Sequence, residues 1–146
     1  MLARIDRHNG VLYGMTGAGG TYQGGTAFSI TTSGTVTVLH SFGVGCQPRK
    51  PCSEGEGPIG GLLDVKDTLY GVTSGGGTHA SGTVFSLTTS GSEKVLRSFS
   101  QGHVPGAGLT ELNGTLYGIT GGGTCGGGTV FSVTLSGTAK VPHNFC

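Results

Sequence analysis

One tripeptide, Leu-Tyr-Gly, occurs three times and constrains the fold more than any other feature of the sequence. The copies begin at Leu12, Leu69 and Leu116, and each is followed by x-Thr, a glycine run, Gly-Thr-(Ala/Val)-Phe-Ser, a Ser-Gly turn and a segment that closes on Phe. The tyrosines are 57 and 47 residues apart, and one insertion after Phe42 accounts for the difference. A period of this length predicts stacked repeats, each of which needs a neighbour to bury its apolar residues.

Each copy is expected to form four short strands and no helix, since the apolar residues alternate and nowhere follow a helical period. The third copy shows this best, because an alternating segment runs into Asn113-Gly114, the strongest short hairpin signal. The predicted strands are 2–6, 11–16, 26–31 and 35–42 in copy one, 62–65, 68–73, 83–88 and 94–99 in copy two, and 108–112, 115–120, 129–134 and 140–145 in copy three.

Four strands per repeat are typical of a β-propeller blade, and the layout is kelch-like. The predicted fold class is therefore all-β, with three four-stranded antiparallel blades. Blade 1 is expected at 1–43, an inter-blade insertion at 44–57, blade 2 at 58–100 and blade 3 at 101–146. Known propellers have about four to eight blades. Copies of the chain are expected to close a ring as a homo-oligomeric dimer or trimer, or to form a filament, unless the chain is a fragment of a longer propeller.

The composition narrows the classes of partner. Glycine makes up 32 of the 146 residues, but its spacing is periodic and indicates turns rather than disorder. A net charge of +1 with 10% charged residues excludes the strongly basic surface of a nucleic-acid-binding protein. There is no apolar run long enough to span a bilayer, and the first ten residues lack the apolar core of a signal peptide.

The four cysteines have no zinc-site spacing. Cys46 and Cys52 bracket a short loop and are predicted to form a disulfide, the alternative being two free thiols in a reducing cytosol. Cys125 and Cys146 either pair with each other or bond between chains. The even number and the low charge favour an oxidising, extracellular setting.

The pattern P-x-x-G-L, (N/D)-G-x-L-Y-G-x-T-x-x-G-G, G-T-V-F-x-L-x-x-x-G and L-x-x-F resembles the Gloeobacter/Verrucomicrobium-type repeat of bacterial choice-of-anchor surface proteins. Residues 105–145 carry nearly the whole motif, and residues 58–99 depart from it at Lys66-Asp67, which replaces the usual Asn/Asp-Gly turn. The first copy lacks the leading Pro-x-x-Gly. The resemblance implies a secreted or surface-displayed bacterial propeller, and it transfers no catalytic residue.

Two sets of symmetric positions are candidates for ligand or interface contacts. The first set is Tyr13, Tyr70 and Tyr117. Such rings either stack on sugars or pack between blades with their hydroxyls hydrogen-bonded. The second set, two residues before each closing Phe, is His40, Arg97 and His143. These residues would contact an anionic glycan or a neighbouring blade, or would simply face solvent from the outer strand.

Enzymatic motifs are weak. Gly121–Gly126 formally matches G-x-G-x-x-G, but a strand rather than a helix is expected to follow it. No Gly-x-Ser-x-Gly occurs, and no carboxylate pair stands out, with Glu54 and Glu56 assigned to the insertion loop. No catalytic residue, cofactor or metal is expected. The sequence predicts a non-enzymatic secreted or surface binding module, with glycans as the candidate ligand. The alternative is a structural ring or filament, and a hydrolase is the remaining hypothesis.

Overall fold

The computed structural model describes residues 6–8, 10–48 and 50–146, and these residues form thirteen β-strands and no helix. The strands are β1 (Asp6–His8), β2 (Val11–Thr16), β3 (Thr26–Ile30), β4 (Val36–Ser41), β5 (Gly55–Val65), β6 (Thr68–Gly76), β7 (Thr83–Thr88), β8 (Glu93–Ser98), β9 (His103–Pro105), β10 (Thr110–Leu112), β11 (Thr115–Gly122), β12 (Thr129–Thr134) and β13 (Ala139–Asn144). Of the predicted first strand, residues 2–5 lie outside the described residues. Over the described ranges, the chain has no helix that could cross a membrane.

Each repeat forms one antiparallel sheet in which consecutive strands are neighbours, apart from β9 and β10, which both pair with β11. The first sheet has the order β1-β2-β3-β4, the second β5-β6-β7-β8 and the third β10-β11-β12-β13, with β9 paired to β11. The prediction of an all-β chain with three antiparallel sheets is therefore confirmed; the first two sheets have the predicted four strands and the third has five.

The start of the second and third sheets differs from the prediction. Strand β5 is eleven residues long and begins at Gly55, inside the predicted insertion, whereas only residues 62–65 were predicted. The register of β5 shifts between Ile59 and Leu63, and the corresponding stretch of the third sheet is divided into β9 and β10. Glycine and proline in this stretch weaken the strand pattern. Such residues are nevertheless tolerated on a strand at the edge of a sheet, which is where β5 lies.

The glycine of the second and third Leu-Tyr-Gly triplets makes room for a phenylalanine. Gly71 pairs with Phe85 across β6 and β7, and a Cβ atom added to Gly71 would lie 2.6 Å from Cζ of the Phe85 ring. Gly118 lies under Phe131 in the same way. Any larger residue would displace the ring, which explains why the triplet and the later Phe repeat together.

A threonine pair closes the mouth of each glycine-rich loop. The Oγ1 atoms of the x-Thr and Gly-Thr threonines are 2.9, 2.9 and 2.6 Å apart in the three sheets. The pairs are Thr16–Thr26, Thr73–Thr83 and Thr120–Thr129. All three pairs sit where a hairpin opens into its loop, so they hold the loop ends together.

The hydrophobic core lies between the sheets, because each sheet has two apolar faces. We call the face that carries Tyr13, Met15, Ala27 and Phe42 in the first sheet the tyrosine face. It packs against the leucine face of the second sheet, which consists of Leu62, Leu69, Phe85 and Leu87. The tyrosine face of the second sheet then packs against the leucine face of the third, in a cluster of Tyr70, Val72, Val84, Phe99, Leu109, Leu116, Phe131 and Val133. The two interfaces repeat the same positions, so the sheets stack in chain order.

Candidate functional site

The tyrosine face of the third sheet is uncovered. Tyr117, Ile119 and Phe145 are 37%, 52% and 48% exposed, although their equivalents in the first two sheets are buried. A shallow groove of about 280 Å³ lies on this face, between Tyr117, Ile119, Thr110 and Val130. Burying one large apolar side chain is worth about 1.5–3 kcal/mol. Covering this face would therefore gain the same kind of hydrophobic free energy that stabilises the two interfaces within the chain.

The leucine face of the first sheet is also incompletely covered. Leu12, Phe28 and Ile30 are half-buried, whereas the corresponding residues of the second and third sheets are fully buried. Val36 and Val38 on β4 are both 56% exposed, and they pair with Ile30 and Phe28. The described part of the chain thus presents one open tyrosine face and one open leucine face, the two halves of the interface that it builds twice internally.

The three candidate tyrosines lie on the tyrosine faces. The Tyr13 and Tyr70 side chains are buried between sheets, and burial raises the pKa of the Tyr70 hydroxyl above its ordinary value. Only Tyr117 of the three is accessible to a ligand or partner. The three tyrosines occupy the same repeat position but differ in exposure, because only Tyr13 and Tyr70 are covered by the next sheet of the chain.

The candidate cations also lie on the tyrosine faces, beside the closing phenylalanines. His40, Arg97 and His143 pair with Ala27, Val84 and Val130, which belong to those faces. The His40 and His143 rings meet the edges of Phe42 and Phe145 at centroid distances of 4.8 and 4.7 Å, and the Arg97 guanidinium lies 5.3 Å from the Phe99 centroid. The structure does not bring the three residues together, since each sits at a different sheet.

His40 is part of a charge cluster between the first and second sheets. Its Nε2 atom is 3.1 Å from Oε2 of Glu54, and the other carboxylate oxygen of Glu54 accepts a 2.8 Å hydrogen bond from the Val44 N–H. Glu93 pairs with Leu87 and so projects from the leucine face of the second sheet toward His40. One ligand atom from each of His40, Glu54 and Glu93 lies within 4.8 Å of the others.

Glu93 is the member of this cluster whose carboxylate is least well stabilised by its surroundings. Burial, with a further contribution from the Glu54 carboxylate, raises the pKa of Glu93 to about 7. Its Oε1 atom is buried and has no hydrogen-bond partner. A buried carboxylate oxygen without a donor is costly, so the cluster is suited to receiving a proton or a cation.

The second interface has different residues at the equivalent positions. Arg97 takes the place of His40, Ala139 that of Glu93, and Gly102 that of Glu54, since the carbonyls of Glu54 and Gly102 accept equivalent hydrogen bonds from the Gly77 and Gly123 N–H groups. Burial lowers the pKa of the Arg97 guanidinium, whose Nε atom is buried without a hydrogen-bond partner. The charge cluster is thus specific to the first interface.

Two disulfides fasten the loops around the sheets. Cys46 pairs with Cys52 and Cys125 with Cys146, at Cα–Cα distances of 4.9 and 5.0 Å. The first bridge closes the loop that leads to Glu54, and the Cys52 N–H bonds to the carbonyl of Gly77 in the second sheet. Two disulfides are typical of proteins that fold in an oxidising environment.

Sequence reasoning found His40 by its repeat position but missed both glutamates that surround it. The sequence places Glu54 in the insertion loop and assigns it no role, whereas the structure buries its side chain. Glu93 stands in the outer strand of another repeat. One signal was available, because copy three has no acid at either equivalent position, and such a difference between repeats can mark a specific role.

A family model described as the Gloeobacter/Verrucomicrobia repeat matches residues 2–146, which span all three copies. No curated protein and no solved structure matches the chain.

Proposed function

Because the chain belongs to the Gloeobacter/Verrucomicrobia repeat family and leaves complementary sheet faces open, we propose that it is a non-enzymatic β-propeller repeat protein that assembles head to tail with copies of itself. The observation that carries this proposal is the exposed tyrosine face of the third sheet. Its equivalents are covered twice within the chain, each time by a leucine face.

The occupant that fits this face is the first sheet of a second copy. The open leucine face around Phe28 and Ile30 carries the same kinds of side chain as the faces that cover Tyr13 and Tyr70. Contacts between two different faces are heterologous, so they close into a ring where the rotation between copies allows it and otherwise extend into a filament. Two or three copies would supply six or nine sheets, close to the usual size of a propeller.

The setting that we propose is the bacterial cell surface or the medium outside it. The two disulfides favour an oxidising compartment, and an oligomeric ring would display its loops in multiple copies. Tyr22, on the glycine-rich loop after Thr16, is 50% exposed. An exposed aromatic ring on such a loop suits stacking against a sugar, and glycans are therefore the ligand class that we propose.

Native mass spectrometry of paired face variants tests the assembly. Ile119→Asp places a charge on the tyrosine face, and Val36→Asp places one on the leucine face. Each variant alone should be a monomer, while an equimolar mixture should form a discrete dimer. In that dimer, the intact tyrosine face of Val36→Asp binds the intact leucine face of Ile119→Asp. Tyr22→Asp is the matched control, since Tyr22 is equally exposed but lies on a loop, and it should assemble like the unmodified chain.

The outcomes separate the alternatives. A closed dimer or trimer of the unmodified chain supports a ring, and open-ended species support a filament. A monomer at micromolar concentration, or two single variants that still assemble, would refute the head-to-tail contact. A glycan array on the assembled species then tests the ligand class, with Tyr22→Asp expected to lose binding while keeping its assembly.

A further inference from the structure

The cluster at the outer corner of the first interface has the make-up of a metal site. His40 comes from β4, Glu54 from the loop that the Cys46–Cys52 disulfide closes, and Glu93 from β8. Three separate segments thus bring one imidazole nitrogen and two carboxylate oxygens within 4.8 Å of one another. The packing of the sheets does not require two carboxylates here, since the second interface packs with Ala139 at the position of Glu93.

We propose that His40, Glu54 and Glu93 bind one divalent transition-metal ion, of which Zn²⁺ is the best fit, between the first and second sheets. One imidazole with two carboxylates is a donor set that suits Zn²⁺ and its first-row neighbours, whereas Ca²⁺ and Mg²⁺ prefer oxygen ligands alone. Zinc bonds of about 2.0–2.2 Å in tetrahedral geometry hold ligand atoms roughly 3.4 Å apart. The His40 and Glu54 atoms, 3.1 Å apart, are already close to this separation, and Glu93, within 4.8 Å of both, needs a shift of at most about 1.4 Å.

An unsatisfied atom points to the ion independently of the donor set. Glu93 Oε1 is buried and has no hydrogen-bond partner. The Glu93 carboxylate also lies beside the carboxylate of Glu54. Two neighbouring carboxylates with a single imidazole lack the positive charge that would balance them. A divalent cation supplies that charge and gives Glu93 Oε1 a partner.

The second interface is an internal comparison for this argument. There Arg97 stands at the position of His40, and the acid is replaced by Ala139. The second interface therefore has a permanently charged arginine and no carboxylate at this corner. The first interface has two carboxylates, and a histidine stands in place of the arginine. The substitutions change together, as expected if the first interface takes its cation from solution.

The surrounding contacts orient two of the ligands. The Val44 N–H holds Oε1 of Glu54 at 2.8 Å and leaves Oε2 directed at His40. The His40 ring is supported by its edge contact with Phe42, which is itself buried. His40 and Glu93 are only half-buried, so an ion can enter, and water can complete the coordination. The site lies within one chain and does not depend on assembly.

Titration calorimetry with ZnCl₂ on the oxidised, tag-free and EDTA-treated chain tests the proposal. We expect one saturable zinc per chain at about pH 7.5, and a rise in Tm of about 5–10 °C when zinc exceeds its Kd by about a hundredfold. Co²⁺ should bind at the same stoichiometry and give a visible absorption band, while Mg²⁺ should produce no shift in Tm.

Variants locate the ion. Glu93→Gln preserves shape and removes the charge, and it should weaken zinc binding by at least about tenfold. Glu56→Gln makes the same chemical change outside the cluster and should leave the affinity unchanged. His40→Arg reproduces the residue that the second repeat uses, so it should fold normally and lose zinc binding. Failure of the unmodified chain to bind zinc below about 1 mM, or unchanged affinity in both Glu93→Gln and His40→Arg, would overturn the proposal.

Discussion

Replacing Phe99 or Phe145 by alanine removes the same ring from the same repeat position in two different environments. Phe99 is 1% exposed, and its ring lies 4.8 Å from that of Phe131 in an edge-to-face arrangement. Phe145 is 48% exposed and makes its ring contact with His143, two residues before it in the chain. The comparison therefore measures what a covering sheet contributes to one side chain.

The expected costs differ severalfold. Removal of a buried phenylalanine costs about 3–5 kcal/mol, because transfer from water, the aromatic pair and a new cavity all contribute. For the half-exposed Phe145 only part of the transfer free energy is at stake, and we expect about 1 kcal/mol. Urea denaturation of dilute, monomeric protein should show a midpoint shift of more than about 1 M for Phe99→Ala and a much smaller one for Phe145→Ala.

Protein concentration adds a second test of the same pair. If the third sheet is covered in the assembled protein, the cost of Phe145→Ala should grow with concentration, while that of Phe99→Ala should not. Equal costs in dilute solution would refute the reasoning, because they would mean that the tyrosine face of the third sheet is buried or that the internal one is loosely packed.

Two further outcomes follow from local features. Gly114 has a φ of +80° in the hairpin turn and open space around it. Gly114→Ala should therefore destabilise the protein by about 1 kcal/mol, whereas Gly106→Ala, also in open space and without a positive φ, should change stability by less than about 0.5 kcal/mol in thermal unfolding. Because the pKa of Glu93 is raised from 4.5 to about 7, the folded state binds its proton more tightly than the unfolded state. With EDTA present, stability should fall as pH rises from about 4.5 to about 7, by about 1–2 kcal/mol after solvent screening. Glu93→Gln should remove that slope, and a slope of the same size in this variant would contradict the assignment to Glu93.

The repeating elements could be predicted because they obey local rules. Strands β2, β7 and β12 begin and end at the predicted residues, since alternation is strong and glycine or threonine marks both ends. The hairpin at Asn113-Gly114 has φ values of 51° and 80°, as its sequence indicates. Lys66 and Asp67 adopt the same turn, with φ values of 50° and 67°, although neither residue is glycine. There the flanking strands impose a conformation that local preference disfavours.

The cluster of His40, Glu54 and Glu93 was harder to predict, because it forms only where the second sheet packs on the first. Repeat symmetry makes His40 and Arg97 equivalent, yet His40 lies beside two carboxylates, whereas the sheet that covers Arg97 has Ala139 at the position of Glu93. Glu54 was hidden by its place in an apparent insertion, where a disulfide and the early start of β5 in fact hold it against the first sheet. Contacts between repeats are set by stacking, and no pattern within one repeat records them.

The positions that differ between the repeats are the more informative ones for function. The apolar faces repeat because each must fit the next sheet, so a Leu, Tyr or Phe there reports packing and nothing else. The outer corner of an interface is under weaker packing constraint, since it borders solvent on one side. There the chain has exchanged histidine for arginine and glutamate for alanine without disturbing the stack. In a protein built from stacked sheets, specific chemistry can be added at such corners with little cost to the fold. The corner of the first interface is therefore where this chain departs most from a purely structural repeat.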